Sequence, residues 1–160
     1  MSTDHAGSDR ATPGPDQPGA AAARLGDPEQ AERCTTVTLP FEPVAVGRAR
    51  RLMTEELETA GTPPEVVDDA ALVLSELVTN GLKHGKPNRE DGIEVGWCLY
   101  DDRVLLCVCD GGTVGSLQPL ELNTTAPSGR GLAIVDYVCD SWTVDRNGGT
   151  SITAEILIAS

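Results

Sequence analysis

Apolar residues return at two different spacings along this chain, and the switches between them mark out its elements. From Pro43 to about Thr59, Val46, Ala49, Met53, Leu57 and Ala60 recur every three or four positions, with Arg48, Arg50, Arg51 and Glu55 between them. That period predicts an amphipathic helix, ended near Gly61 and the Pro63-Pro64 pair. A second helical period runs from about Pro64 to Leu82 or Lys83, with Pro64 at its first turn and Gly85 just past its end. Strand signals lie outside these two stretches. Residues 32–40 (ERCTTVTLP) are rich in β-branched side chains and close on a proline, while 93–101 and 103–110 meet at Asp101-Asp102, a predicted hairpin. Residues 111–131 have no period and are punctuated by Gly111, Gly112, Gly115, Pro119, Pro127, Gly129 and Gly131. A third helix is expected from about Gly131 to Cys139 with Leu132, Val135 and Val138 inward. Strands 141–146 and 150–158 follow, joined by Asn147-Gly148-Gly149. The order β-α-α-β-β-α-β-β predicts an α/β two-layer sandwich, a mixed, mainly antiparallel sheet with helices packed on one face.

The N-terminal stretch obeys neither period. Residues 1–31 contain one leucine and no β-branched aliphatic, with prolines at 13, 15, 18 and 28 and glycines at 7, 14, 19 and 26. So little apolar surface does not offset ordering entropy, and a disordered Pro/Gly/Ala-rich tail is expected ahead of one domain over 32–160. No basic segment leads into an apolar one, as a secretory signal requires, and no window is long enough to span a membrane. A cytoplasmic location is therefore expected, with no membrane partner. Five cysteines without a secretion signal imply reduced thiols, and Cys107 and Cys109 read as small buried hydrophobes of one strand. The net charge of −13 argues against a nucleic-acid partner, because phosphate contacts need a basic surface.

Within the second helix, Glu76, Asn80 and His84 follow one another at four-residue steps. Taking Glu76 as zero at 100° per residue, Asn80 falls at about 40° and His84 at about 80°, while Val67, Ala71, Leu74 and Val78 gather on the far side. Leu72 and Val73 flank the polar row, where a purely solvated face gains little from aliphatics. The row is read as one wall of a pocket.

Most enzyme chemistries are absent. The chain lacks the phosphate loop GxxxxGK[ST], the HRD and DFG elements of common protein kinases, GxSxG, HExxH and paired CxxC groups. His5 and His84 are its only histidines, which leaves no histidine-centred metal cluster. Three pieces remain. Asp110 at a strand end can accept a hydrogen bond from an exocyclic amine, and Gly112 after it lets a flat ring approach the backbone. SGRGL (128–132) opens a helix with Gly129, Arg130 and Gly131, bare peptide N–H groups and a cation that suit phosphate. Asn80 offers a neutral oxygen to Mg²⁺, and Glu76 can orient or deprotonate a hydroxyl.

In this order and spacing the pieces resemble the GHKL family of ATPases over roughly residues 32–158. SELVTNGLKHG looks like the family's N-box, DGG (110–112) like its first glycine box and SGRGLAIV (128–135) like its second. The short span between the boxes most resembles the anti-sigma-factor serine/threonine kinases. The resemblance implies a GHKL fold binding ATP with Mg²⁺ on Asn80, and Glu76 as catalytic base. It places the nucleotide among Asn80, His84, Asp110, Gly112, Gly129, Arg130, Gly131, Leu132 and Thr150. It also implies phosphorylation of a small anti-anti-sigma protein, capture of a sigma factor, and a homodimer. The chain departs from the family in one place: the first box usually continues D-x-G-x-G, but here Val114 precedes Gly115. That departure motivates a second reading, a partner-binding module that is nucleotide-gated or catalytically inactive and transfers no phosphate.

Overall fold

Helices with apolar stripes need a flat apolar surface to cover, and five strands supply it. The computed structural model describes residues 19–111, 130–146 and 149–158. Strands β1 (Arg33–Pro40), β2 (Gly92–Leu99), β3 (Arg103–Asp110), β4 (Ser141–Asp145) and β5 (Thr150–Leu157) form one sheet in the order β1-β2-β3-β5-β4. Helices α2 (Val44–Thr59), α3 (Pro64–His84) and α4 (Arg130–Val138) complete the expected order of elements.

The sheet corrects one expectation: all of its pairings are antiparallel, where parallel ones were also expected. The connections explain this. Two helices in succession, α2 and α3, return the chain to the end of the sheet it left, so β2 runs against β1. The single helix α4 makes β4 run the same way as β3, but β5 enters between them and pairs with both.

Alternation along the strands sorts the side chains into two layers. Val95, Trp97, Val104, Leu106, Val108, Ile152, Ala154 and Ile156 face Ala49, Met53, Leu57, Leu74, Leu77, Val78, Leu132 and Val135 in one core. Glu56 ties α2 to this sheet: its carboxylate accepts the Trp97 indole N–H at 3.1 Å and the Thr35 hydroxyl at 2.7 Å. The buried arc of α3 is wider than the wheel implied. Val66, Ala70, Val73, Leu77 and Gly81 are buried along with Val67, Leu74 and Val78, while Leu72 is exposed. Helix α3 packs against α2, α4 and the sheet together, which leaves Glu76 and Asn80, both half-buried, on the shoulder of that arc.

The opposite face of the sheet is not bare. Part of the stretch expected to stand apart packs there, as an arm containing α1 (Ala20–Ala23) and a 3-10 turn, Pro28–Gln30. Ala20, Ala21 and Leu25 bury themselves against Cys98, Tyr100, Cys107 and Cys109. The Glu94 carboxylate, buried on β2, accepts the backbone N–H groups of Gly19 and Ala21, both at 3.0 Å. Arg24 donates to Asp145 at 2.6 Å, and the Tyr100 hydroxyl donates to the Leu25 carbonyl at 2.7 Å. Small side chains that bury little alone thus dock because the sheet provides an acid, a hydroxyl and the flat floor of Gly96. A Cβ on Gly96 would stand 2.9 Å from Leu25 Cδ1.

The expectation of five reduced thiols is also corrected. Cys34 and Cys98 face one another in the β1–β2 register and are joined as a disulfide. Cys107, Cys109 and Cys139 are free thiols.

Candidate functional site

The end of α3 and the end of β3 meet. Gly81 and Gly85 stand one turn apart on the helix side, and both face Asp110, which is buried at the last position of the strand. A methyl group on Gly85 would lie 2.5 Å from Asp110 Oδ2 and 2.6 Å from Oδ1. On Gly81 it would lie 3.5 Å from Oδ2, an ordinary contact. Gly85 thus clears the seat for the carboxylate, while the tight neighbour of Gly81 is Ile93 Cδ1 at 2.8 Å. Asn80 is next to Gly81 in sequence, Glu76 lies one turn earlier, and His84 closes the helix as an exposed residue.

The segment after α3 locks this meeting in place. The Gly111 N–H donates to the Lys86 carbonyl at 2.7 Å, and a side chain at Gly111 would overlap the Pro87 carbonyl. Buried Asn88 holds the turn into β2, its Oδ1 accepting the N–H groups of Glu90 at 2.9 Å and Gly92 at 3.0 Å. The turn takes Asp91 through the left-handed region at φ 61°. The motif reading had missed Asn88; its signal was the Asn-x-x-Asp-Gly run ahead of a strand.

On the next strand, Thr150 faces Asp110 in the β3–β5 register. Its hydroxyl is buried and has no hydrogen-bond partner. An orphaned hydroxyl costs about 1–3 kcal/mol unless a ligand or water satisfies it. Beside a buried carboxylate it leaves a site able to accept from, and donate to, a flat polar heterocycle. The residues present therefore fit an adenine ring. Among the described residues no group of three or more His, Cys, Asp or Glu could hold a metal ion.

The second glycine-rich motif divides. Arg130 and Gly131 open α4, which packs against α3, while Gly112 and Gly129 lie outside the described residues. Leu132 is only 3% exposed and belongs to the core, so its side chain is packing rather than a ligand contact. The structure thus sets Asp110 and Thr150 side by side on β3 and β5, next to the end of α3, the helix that carries Glu76, Asn80 and His84.

One family model and three named relatives resemble this chain. Residues 39–156 match the model of the histidine kinase-like ATPase domain. The chain is 29% identical over 129 residues to the serine-protein kinase RsbW of Listeria innocua, covering 73% of this chain and 82% of that one. It is 24% identical over 133 residues to the protein of the same name from Oceanobacillus iheyensis, covering 76% and 84%. A third RsbW, from Staphylococcus epidermidis, is 28% identical over 128 residues, covering 72% and 80%. The matched domain begins at Leu39, after the arm that packs on the outer face.

Proposed function

We propose that this protein, which belongs to the histidine kinase-like ATPase domain family, is an ATP-dependent serine/threonine protein kinase of the anti-sigma type. Its substrate would be a serine or threonine on a small anti-anti-sigma protein, and its captive a sigma factor. The observation that carries this reading is the seat cleared by Gly85 for Asp110, next to the unpartnered Thr150 hydroxyl. The names of the relatives, serine-protein kinases all, support the same reaction.

In this scheme the Asp110 carboxylate accepts a hydrogen bond from the exocyclic amine of adenine, and Thr150 completes the edge. Asn80 would hold Mg²⁺ through its amide oxygen, and the ion would supply charge neutralisation on the phosphates. The start of α4, at Arg130 and Gly131, would offer backbone N–H groups to the triphosphate. Glu76 lies a turn from Asn80, aligns the incoming hydroxyl and takes its proton. The serine or threonine oxygen forms the new bond to the γ-phosphorus as the bond to ADP breaks. In-line positioning and charge stabilisation carry most of such a reaction.

Incubating the purified chain with labelled ATP and candidate partner proteins tests the transfer; label on a serine or threonine is the expected result. Calorimetric titration tests the pocket. Asp110→Asn trades a charged acceptor for an amide, and Mg·ATP affinity is expected to fall about ten-fold or more. Equal affinity in the two proteins would remove Asp110 from the site. Tight binding without transfer to any partner would favour the second reading, a nucleotide-gated partner-binding module, which the Val114 departure from D-x-G-x-G motivates. A homodimer is part of the proposal and is read from particle mass in solution. No helix among the described residues is long and apolar enough to cross a membrane, and a cytoplasmic site of action belongs to the same proposal.

A further inference from the structure

Two thiols of β3 serve neither the main core nor the nucleotide pocket. Cys107 and Cys109 alternate with Leu106, Val108 and Asp110, so they face the outer side of the sheet, under the arm. Both are fully buried, and their sulfurs are 3.6 Å apart. Their surroundings are more polar than a small buried hydrophobe requires. The Thr153 hydroxyl donates to Cys107 Sγ at 3.5 Å. Ser151, the register partner of Cys109, has a buried hydroxyl with no partner. Hydrogen bonding with Cys109 and Thr153 pulls the Cys107 thiol below its usual range. The contact with Cys107, together with burial, pushes the Cys109 thiol up. The Thr153 hydroxyl, donating to Cys107 alone, favours charge on that sulfur.

The cover over this pair is slight. Ala20, Ala21 and Leu25 lie on it, and the arm hangs on Glu94, the Arg24–Asp145 ion pair and the Tyr100 hydroxyl. A short arm docked on the outside of a sheet opens locally without global unfolding.

We propose that Cys107 and Cys109 form a redox site for hydrogen peroxide or a small hydroperoxide, closed by the arm and opened when the arm lifts. The Cys107 thiolate attacks the peroxide, forming an S–O bond as the O–O bond breaks, and the leaving hydroxide or alkoxide takes up a proton. Cys109 sulfur then attacks the sulfenic sulfur; the S–S bond forms, water leaves, and both thiols have been oxidised by one peroxide. The two sulfurs stand 3.6 Å apart, whereas a disulfide holds them about 2.05 Å apart. Closing the bond therefore draws the two side chains together across Val108, two residues before Asp110. That coupling to nucleotide rests on the proposed function; the thiol chemistry does not.

The test treats the full-length protein with peroxide and follows the tryptic peptide Val104–Arg130 by mass. Wild type is expected to lose about 2 Da slowly, the mass of two hydrogens. Arg24→Ala and Glu94→Gln, two independent ways of loosening the arm, are each expected to speed the loss about ten-fold. Cys109→Ser should stop at a sulfenic acid that dimedone traps on Cys107. Rates unchanged in both loosened variants, or a Cys107→Ser protein whose Cys109 reacts as fast as wild-type Cys107, would overturn the site. Oxidised protein is expected to bind Mg·ATP more weakly than reduced, and equal binding would overturn the coupling. Reduced protein that binds none overturns the functional reading instead, with the thiol chemistry still legible in the mass.

Discussion

Glu76→Gln is expected to slow phosphate transfer by about 10²–10⁴-fold while leaving Mg·ATP affinity within about two-fold of wild type. The amide keeps the shape and the hydrogen-bonding length of the side chain but can no longer take a proton. Glu76 is half-buried on the shoulder of α3, one turn before Asn80, so it can reach a hydroxyl presented at the γ-phosphate without touching the adenine edge. Single-turnover transfer of label, run beside a calorimetric titration, separates the two quantities. Transfer at the wild-type rate would take the base away from Glu76. Loss of transfer and binding together would make it a structural residue of the nucleotide pocket.

The second large effect comes from one methyl group. Gly85→Ala places a carbon within 2.6 Å of both carboxylate oxygens of Asp110, so the carboxylate or the backbone around it must shift. Overpacking of this kind costs about 1–3 kcal/mol. The displaced carboxylate is also the proposed adenine acceptor, so Mg·ATP affinity should drop about ten-fold or more. Gly81→Ala is the control. There the tight neighbour is Ile93 Cδ1 at 2.8 Å, the end of a flexible side chain, and Asp110 Oδ2 remains at 3.5 Å. Alanine also favours the helix by up to about 1 kcal/mol relative to glycine, so that variant should keep both stability and affinity near wild type. Urea midpoints and titrations of the pair check this. Equal behaviour of the two variants would mean that Asp110 is not confined by Gly85.

The difference between those two glycines marks the limit of what the chain discloses on its own. Spacing was enough to place α2 and α3, the β2–β3 hairpin at Asp101-Asp102 and the final hairpin, because each is a local pattern. The helical spacing also singled out Asn80, and the end of a strand Asp110; Thr150 came only from the family resemblance. Spacing could not say that Gly85 makes room for Asp110 while Gly81 faces Ile93, since that depends on where a helix end crosses a strand end. The docked arm was hidden for the same reason. Residues 19–31 bury too little among themselves to order, and their seat is made by Glu94, Gly96 and Tyr100, which are distant in sequence. The Cys34–Cys98 disulfide follows from strand register, a non-local fact that cysteine counting does not supply. Leu132 was legible as an inward helix position, and its side chain is core; only the motif resemblance had linked it to nucleotide. Leu72 misled in the other direction: an aliphatic beside a polar row proved to be an exposed residue on the outside of α3.

A crystal structure of the protein with Mg²⁺ and a non-hydrolysable ATP analogue tests the central claim most directly. The account predicts the adenine amine within hydrogen-bonding distance of Asp110, the ring edge meeting Thr150, and the metal on the Asn80 amide oxygen. Nucleotide bound elsewhere, or a cleft between α3 and β3 that stays closed at saturating analogue, would contradict it.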